Sequence, residues 1–162
     1  MPVPAAIAGA ASEFSLNTGS LQKAVTDLTP EQWLGRPSDH SNHITWIVGH
    51  VIWARHALIN RVGGKWSCPG IEVFARSTKL DGSYSYPSSE ALLTLWRDSA
   101  TALDAALSNL TPEALTAPAP PGPPSPDGKL SGFIGVLAWH ETYHLGQIAY
   151  LRSWLGQSSM FG

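Results

Sequence analysis

The sequence predicts an all-α protein, a four-helix bundle assembled from two αα-hairpins with long loops. Three observations carry that expectation. Apolar residues recur at alternating steps of three and four in four separate stretches. No stretch shows the apolar–polar alternation of a strand. The string Leu-Thr-Pro-Glu occurs twice, at residues 28–31 and 110–113, each time after a long amphipathic stretch. Each half therefore reads as long helix, Leu-Thr-Pro-Glu turn, irregular loop, and long helix with histidines on its inner face, an arrangement that closes into a bundle.

The first stripe is Ile7, Ala11, Phe14, Thr18, Leu21, Val25 and Leu28. Thr29 as N-cap, Pro30 at the first helical position and Gln32 at the third then mark a short helix start. Gly35 and Pro37 stop it. The second long helix is expected from Ser41 or Asn42, both good caps, to about Val62, where Gly63-Gly64 ends it. Its inner stripe is Ile44, Ile47, His50 with Val51, Ala54, Leu58 and Val62. Residues 65–87 lose the periodicity and read as a loop of functional length. A third helix starts at Ser88, with a stripe through Leu92, Leu95, Trp96, Ser99, Ala102, Leu103, Ala106 and Leu110. The six prolines of residues 117–126 predict a stiff, extended connector. The last helix spans about residues 131–155, with Phe133, Leu137, His140, His144, Ile148, Leu151 and Leu155 on one stripe.

Composition bounds the function. The 162 residues are one domain's worth of chain, residues 1–162. Ten basic and twelve acidic side chains give a net charge of −2, so no basic field draws in nucleic acid or an anionic membrane surface. No apolar run reaches the length of a membrane span. The small apolar N-terminus lacks a basic region and reads as a helix start rather than a signal peptide. The single cysteine, Cys68, excludes an internal disulfide and fits a cytoplasmic location. A charged fraction of only 14% together with seven tryptophans predicts a homodimer.

The chemistry is expected at His140-Glu141-Thr142-Tyr143-His144, an H-E-x-x-H string. Residues four apart on a helix differ by about 40° and one turn, so two imidazoles meet at one point. Both histidines lie on the apolar stripe, where burial without partners costs a few kcal/mol each. A divalent ion compensates efficiently, but two ligands hold it weakly. No His, Cys, Asp or Glu follows His144, so a third ligand must come from upstream, and the downstream ligand of a zincin hydrolase has no residue to occupy. His50 shares the inner face of its helix and is the best third ligand. His43 lies on the same face roughly 10 Å away and reads as a partly exposed helix-start residue, with a role gating or supporting the site as the alternative. His56 is turned toward a neighbour or solvent, and His40 falls in a loop. Three histidines with an open position describe a catalytic type of metal site. Glu141 is either a general base or an interface residue, and Gln147 lies on the ligand face, where it could hydrogen-bond a ligand.

Trp139-His140, His144-x-Gly146-Gln147 and the upstream Trp46-Ile47-Val48-Gly49-His50 together resemble the DinB/YfiT-like superfamily. The likeness runs over nearly the whole chain, including both Leu-Thr-Pro-Glu strings. It implies a four-helix bundle with a three-histidine divalent site at one end, formed here by His50, His140 and His144. Some relatives are thiol-dependent enzymes, among them bacillithiol transferases and a mycothiol-dependent maleylpyruvate isomerase.

Trp46, Trp53, Trp139 and Tyr143 all fall within about a turn of these histidines. They read either as core and interface residues or as an apolar cup for a small-molecule substrate. Cys68, with only Lys65 as a basic neighbour, reads as unreactive. The expected function is that of a metal-dependent enzyme acting on a small molecule, either a transferase with a low-molecular-weight thiol as co-substrate or a hydrolase, with Zn²⁺, Ni²⁺ or Fe²⁺ as the ion. The alternative is a non-catalytic metal-binding or stress-associated bundle.

Overall fold

The computed structural model describes residues 2–78, 80 and 82–159. In chain order the helices are α1 (Ala8–Val25), the short α2 (Pro30–Leu34), α3 (Ile44–Arg61), α4 (Ser89–Ser108), the short α5 (Pro112–Leu115) and α6 (Leu130–Trp154). The described residues contain no strand, only an isolated bridge between Pro118 and Lys129. The chain is all-α, as the periodicity predicts.

Local sequence sets the helix starts. The Thr29 hydroxyl accepts the Gln32 N–H, and Gln32 Oε1 accepts the Thr29 N–H at 2.9 Å, a complete capping box. The second Leu-Thr-Pro-Glu uses Thr111 on the Ala114 N–H, and Ser88 caps α4 through the Ala91 N–H. The start of α3 differs from expectation. Neither Ser41 nor Asn42 caps it; His43 Nδ1 accepts the Trp46 N–H at 3.0 Å. An imidazole lone pair here does the work of a capping oxygen. His43 is also buried, 7% exposed, with the Tyr86 ring edge-on at 5.0 Å.

Around the bundle the neighbours run α1–α6–α3–α4 and back to α1. Each long helix thus packs chiefly on the two long helices of the other half. The hairpin partners α1 and α3, and likewise α4 and α6, face each other diagonally, which their long connections allow.

The core has two apolar regions. One gathers Leu21, Val51, Ile52, Trp96 and Ile148, and the other Phe14, Leu58, Leu103, Phe133 and Ile134. Between them lies a buried polar layer with one residue from each long helix: Asn17, Arg55, Ser99 and Glu141. Burying four polar groups at one level demands partners. Arg55 Nε donates to Glu141 Oε1 at 2.6 Å, Arg55 Nη1 reaches Ser99 Oγ at 3.5 Å, and Asn17 Nδ2 donates to the Ala138 carbonyl at 3.3 Å.

Two connections depart from their expected form. Residues 65–87 are not all irregular: Ile71–Phe74 form a 3-10 turn, and Cys68, Ile71 and Phe74 are buried in the core. Residues 79 and 81 of that loop lie outside the described residues. The proline-rich stretch is not an extended connector. It doubles back, with the Ala119 N–H bonded to the Gly128 carbonyl and the Leu130 N–H to the Ala117 carbonyl, both at 2.9 Å. Gly122, at φ +153°, permits the reversal and lets the chain approach the Phe133 ring. Folding the prolines back places them beside the site described next.

Candidate metal centre

His50 of α3 and His140 and His144 of α6 converge where these two helices pack together. One ligand-capable nitrogen from each lies within 4.8 Å of the others. The Nε2 atoms of His140 and His144 are 3.0 Å apart. Two nitrogens bound to one tetrahedral zinc would lie about 3.3 Å apart, so the spacing suits a shared ion.

The outer faces of two rings are held. His50 Nδ1 donates to the Phe74 carbonyl at 2.7 Å, so its Nε2 keeps the lone pair. His144 Nδ1 bonds Gln147 Oε1 at 2.7 Å, and Gln147 Nε2 in turn donates to the Tyr143 hydroxyl at 3.3 Å. His140 Nδ1 is buried and has no partner among the described residues. Donor-fixed imidazoles aimed at one point are what a bound cation requires.

Electrostatics agree with neutral ligands. Burial pushes His140 down to about 4, with the neighbouring His144 and His50 and the Arg76 cation acting in the same direction. Burial also takes His144 to about 4, against the Gln147 hydrogen bond, and lowers His50. All three rings are therefore unprotonated at neutral pH, the form that ligates metals.

Gly49 explains how the loop reaches His50. A Cβ at this position would run into the Phe74 ring, so only glycine lets that ring come so close to α3. The same contact brings the Phe74 carbonyl to His50 Nδ1.

Residues 13–148 match the sequence profile of the DinB superfamily. The chain belongs to the DinB superfamily. No curated protein matches it closely enough to lend a reaction. Membership and the clustered histidines are both compatible with metal binding.

A cavity of about 500 Å³ opens beside the histidines. Its walls include Trp53, Leu58, Phe133, Leu137, Trp139 and Tyr143. Three of the four expected aromatics thus line it. Trp46 does not: it is buried behind His50, stacked at 4.8 Å with the planes 9° apart. Trp53 stacks on His50 at 5.4 Å, while Trp139 and Tyr143 form an exposed rim.

Glu141 takes the interface alternative. It is 1% exposed, and its carboxylate is filled by the Arg55 guanidinium, so a role as general base finds no support in this geometry. His56 is half-buried against Trp66, and His40 is exposed. Cys68 is buried, and burial together with Glu72 pushes its thiol up, which agrees with an unreactive side chain.

Sequence reasoning missed Arg55, the Phe74 carbonyl, Arg61, Arg76 and the wall formed by Gly122, Pro123 and Pro124. Arg55 had a signal, since it is a formal charge in the middle of a mostly apolar helix. The loop contributions had none, because neither periodicity nor spacing says where an irregular segment folds back.

Proposed function

We propose that this DinB-superfamily protein holds one divalent ion on His50, His140 and His144 and is a transferase acting on a small molecule with a thiol as co-substrate. The observation that carries the reading is the convergence of three neutral imidazoles, two of them fixed from behind, beside an apolar-walled cavity. Zinc, nickel and iron(II) all accept three imidazoles. When bound, such an ion is a Lewis acid that lets a thiol or water act as a nucleophile at neutral pH.

The protein's own groups do the remaining work. Phe74 and Gln147 orient two rings, Trp53 shields the face of His50, and Trp139 and Tyr143 offer an apolar surface at the mouth. Because the ligand set adds no negative charge, the full ionic charge faces the cavity.

Cobalt-substituted protein tests the thiol. Titration with a small thiol above pH 7 is expected to produce an intense near-ultraviolet charge-transfer band and to release a proton. A spectrum unchanged up to millimolar thiol overturns the transferase reading and favours a non-catalytic metal bundle.

A further inference from the structure

We propose that the cavity beside the three histidines takes a small ligand bearing a carboxylate, and that Arg76 receives it. This deepens the reading above, since it names the chemistry of the ligand for the same cavity.

The charge around the cavity is one-sided. Arg61 and Arg76 line it, and among the described residues no aspartate or glutamate does. The chain as a whole carries a net charge of −2, so this positive character is local. Ligand sites are mostly apolar with a few placed polar groups that set orientation, and guanidinium forks match carboxylates in two parallel hydrogen bonds.

The two arginines are not equivalent. Arg61 is committed to the wall: Nη1 donates to the Pro121 carbonyl, and the guanidinium lies 5.7 Å from the Phe133 ring centre. None of the ion pairs among the described residues uses Arg76. Its position is set two residues upstream, where Phe74 is buried in the core and its carbonyl is bound to His50. The anchor that orients a histidine thus also brings a cation to the cavity. A ligand with its reactive end at the histidines and its carboxylate on Arg76 would lie along the apolar wall.

The carboxylate can belong to the electrophile or to the thiol, and two probe pairs separate these sources. The first is 4-phenylbutanoate against 4-phenylbutanamide; the second is 3-mercaptopropionate against 2-mercaptoethanol. Binding is followed by the fluorescence of the cavity tryptophans, with and without chelator, and metal content is measured on the same samples. The parent is expected to favour the anionic member of at least one pair about tenfold. Arg76→Gln should abolish that preference with metal content unchanged, Arg76→Lys should keep part of it, and Arg76→Glu should reverse it. A preference in the first pair assigns the carboxylate to the electrophile, and one confined to the second assigns it to the thiol. Equal binding within both pairs overturns the proposal, as does a preference that survives Arg76→Gln. Absence of metal from the parent would instead count against the metal reading, and the chelated samples keep the two failures apart.

Discussion

Arg55 and Glu141 form a two-pronged ion pair inside the bundle, with Nε–Oε1 at 2.6 Å and Nη2–Oε2 at 2.9 Å. It joins α3 to α6, the two helices that carry the histidines. Glu141 is the chain neighbour of His140, so the pair sets the register in which His50 meets the other two rings. The Arg55 guanidinium also lies 3.5 Å from the Trp96 ring centre and donates to the Phe14 carbonyl at 3.2 Å, which ties in α4 and α1.

Removing one partner leaves a buried charge alone. Arg55→Met is expected to cost about 3–5 kcal/mol in urea denaturation. Arg55→Met with Glu141→Leu should recover most of that loss, because two apolar side chains need no compensation. A double variant no more stable than Arg55→Met would contradict this account of the layer.

Gly49→Ala tests the loop anchor. The added methyl meets a ring fixed in the core, so stability should fall by about 1–3 kcal/mol. The Phe74 carbonyl should also move from His50 Nδ1 and lower metal affinity about tenfold or more. Zinc competition against a chromophoric chelator reads the second effect. Unaltered affinity would show that the carbonyl does not orient His50.

His43 supplies a pH dependence outside the metal centre. Burial lowers its pKa, Arg36 adds to the effect, and the unfolded chain keeps the ordinary value of about 6.5. The unfolded state therefore takes up the proton first. The stability contributed by neutral His43 is present above about pH 6.5 and is lost as pH falls through the lowered folded value. A protonated ring also cannot accept the Trp46 N–H. His43→Asn keeps a cap acceptor that does not titrate, so it should gain stability on the parent as pH falls from about 7.5 to about 5 in chelator. A parent–variant difference that stays constant with pH would contradict the cap.

The bundle was legible because four stripes of apolar residues and two helix-start strings each carry local physics. The ligands were legible for a related reason: histidines four apart on an apolar stripe are costly without a partner. The cap at His43 was not, because imidazoles seldom take that position and Ser41 and Asn42 were better candidates. Glu141 was ambiguous because its partner is 86 residues away. The proline hairpin was misread as extended, since composition gives stiffness and not direction.

The expected homodimer is a proposal supported by Trp139, Tyr143, Tyr150 and Trp154, all exposed along α6. Sedimentation equilibrium at micromolar concentration should give twice the chain mass of 17.3 kDa. A species at the chain mass would remove the proposal.

The central claim is one divalent ion on three histidines. Equilibrium dialysis of untagged protein against zinc, followed by metal analysis, measures it directly. About one ion per chain is expected for the parent, for His40→Ala and for His56→Ala. His50→Ala, His140→Ala and His144→Ala should each retain almost none, while circular dichroism shows all variants still helical. A parent that holds no zinc, nickel or iron would contradict the claim. So would a His50→Ala variant that keeps its metal while His56→Ala loses it.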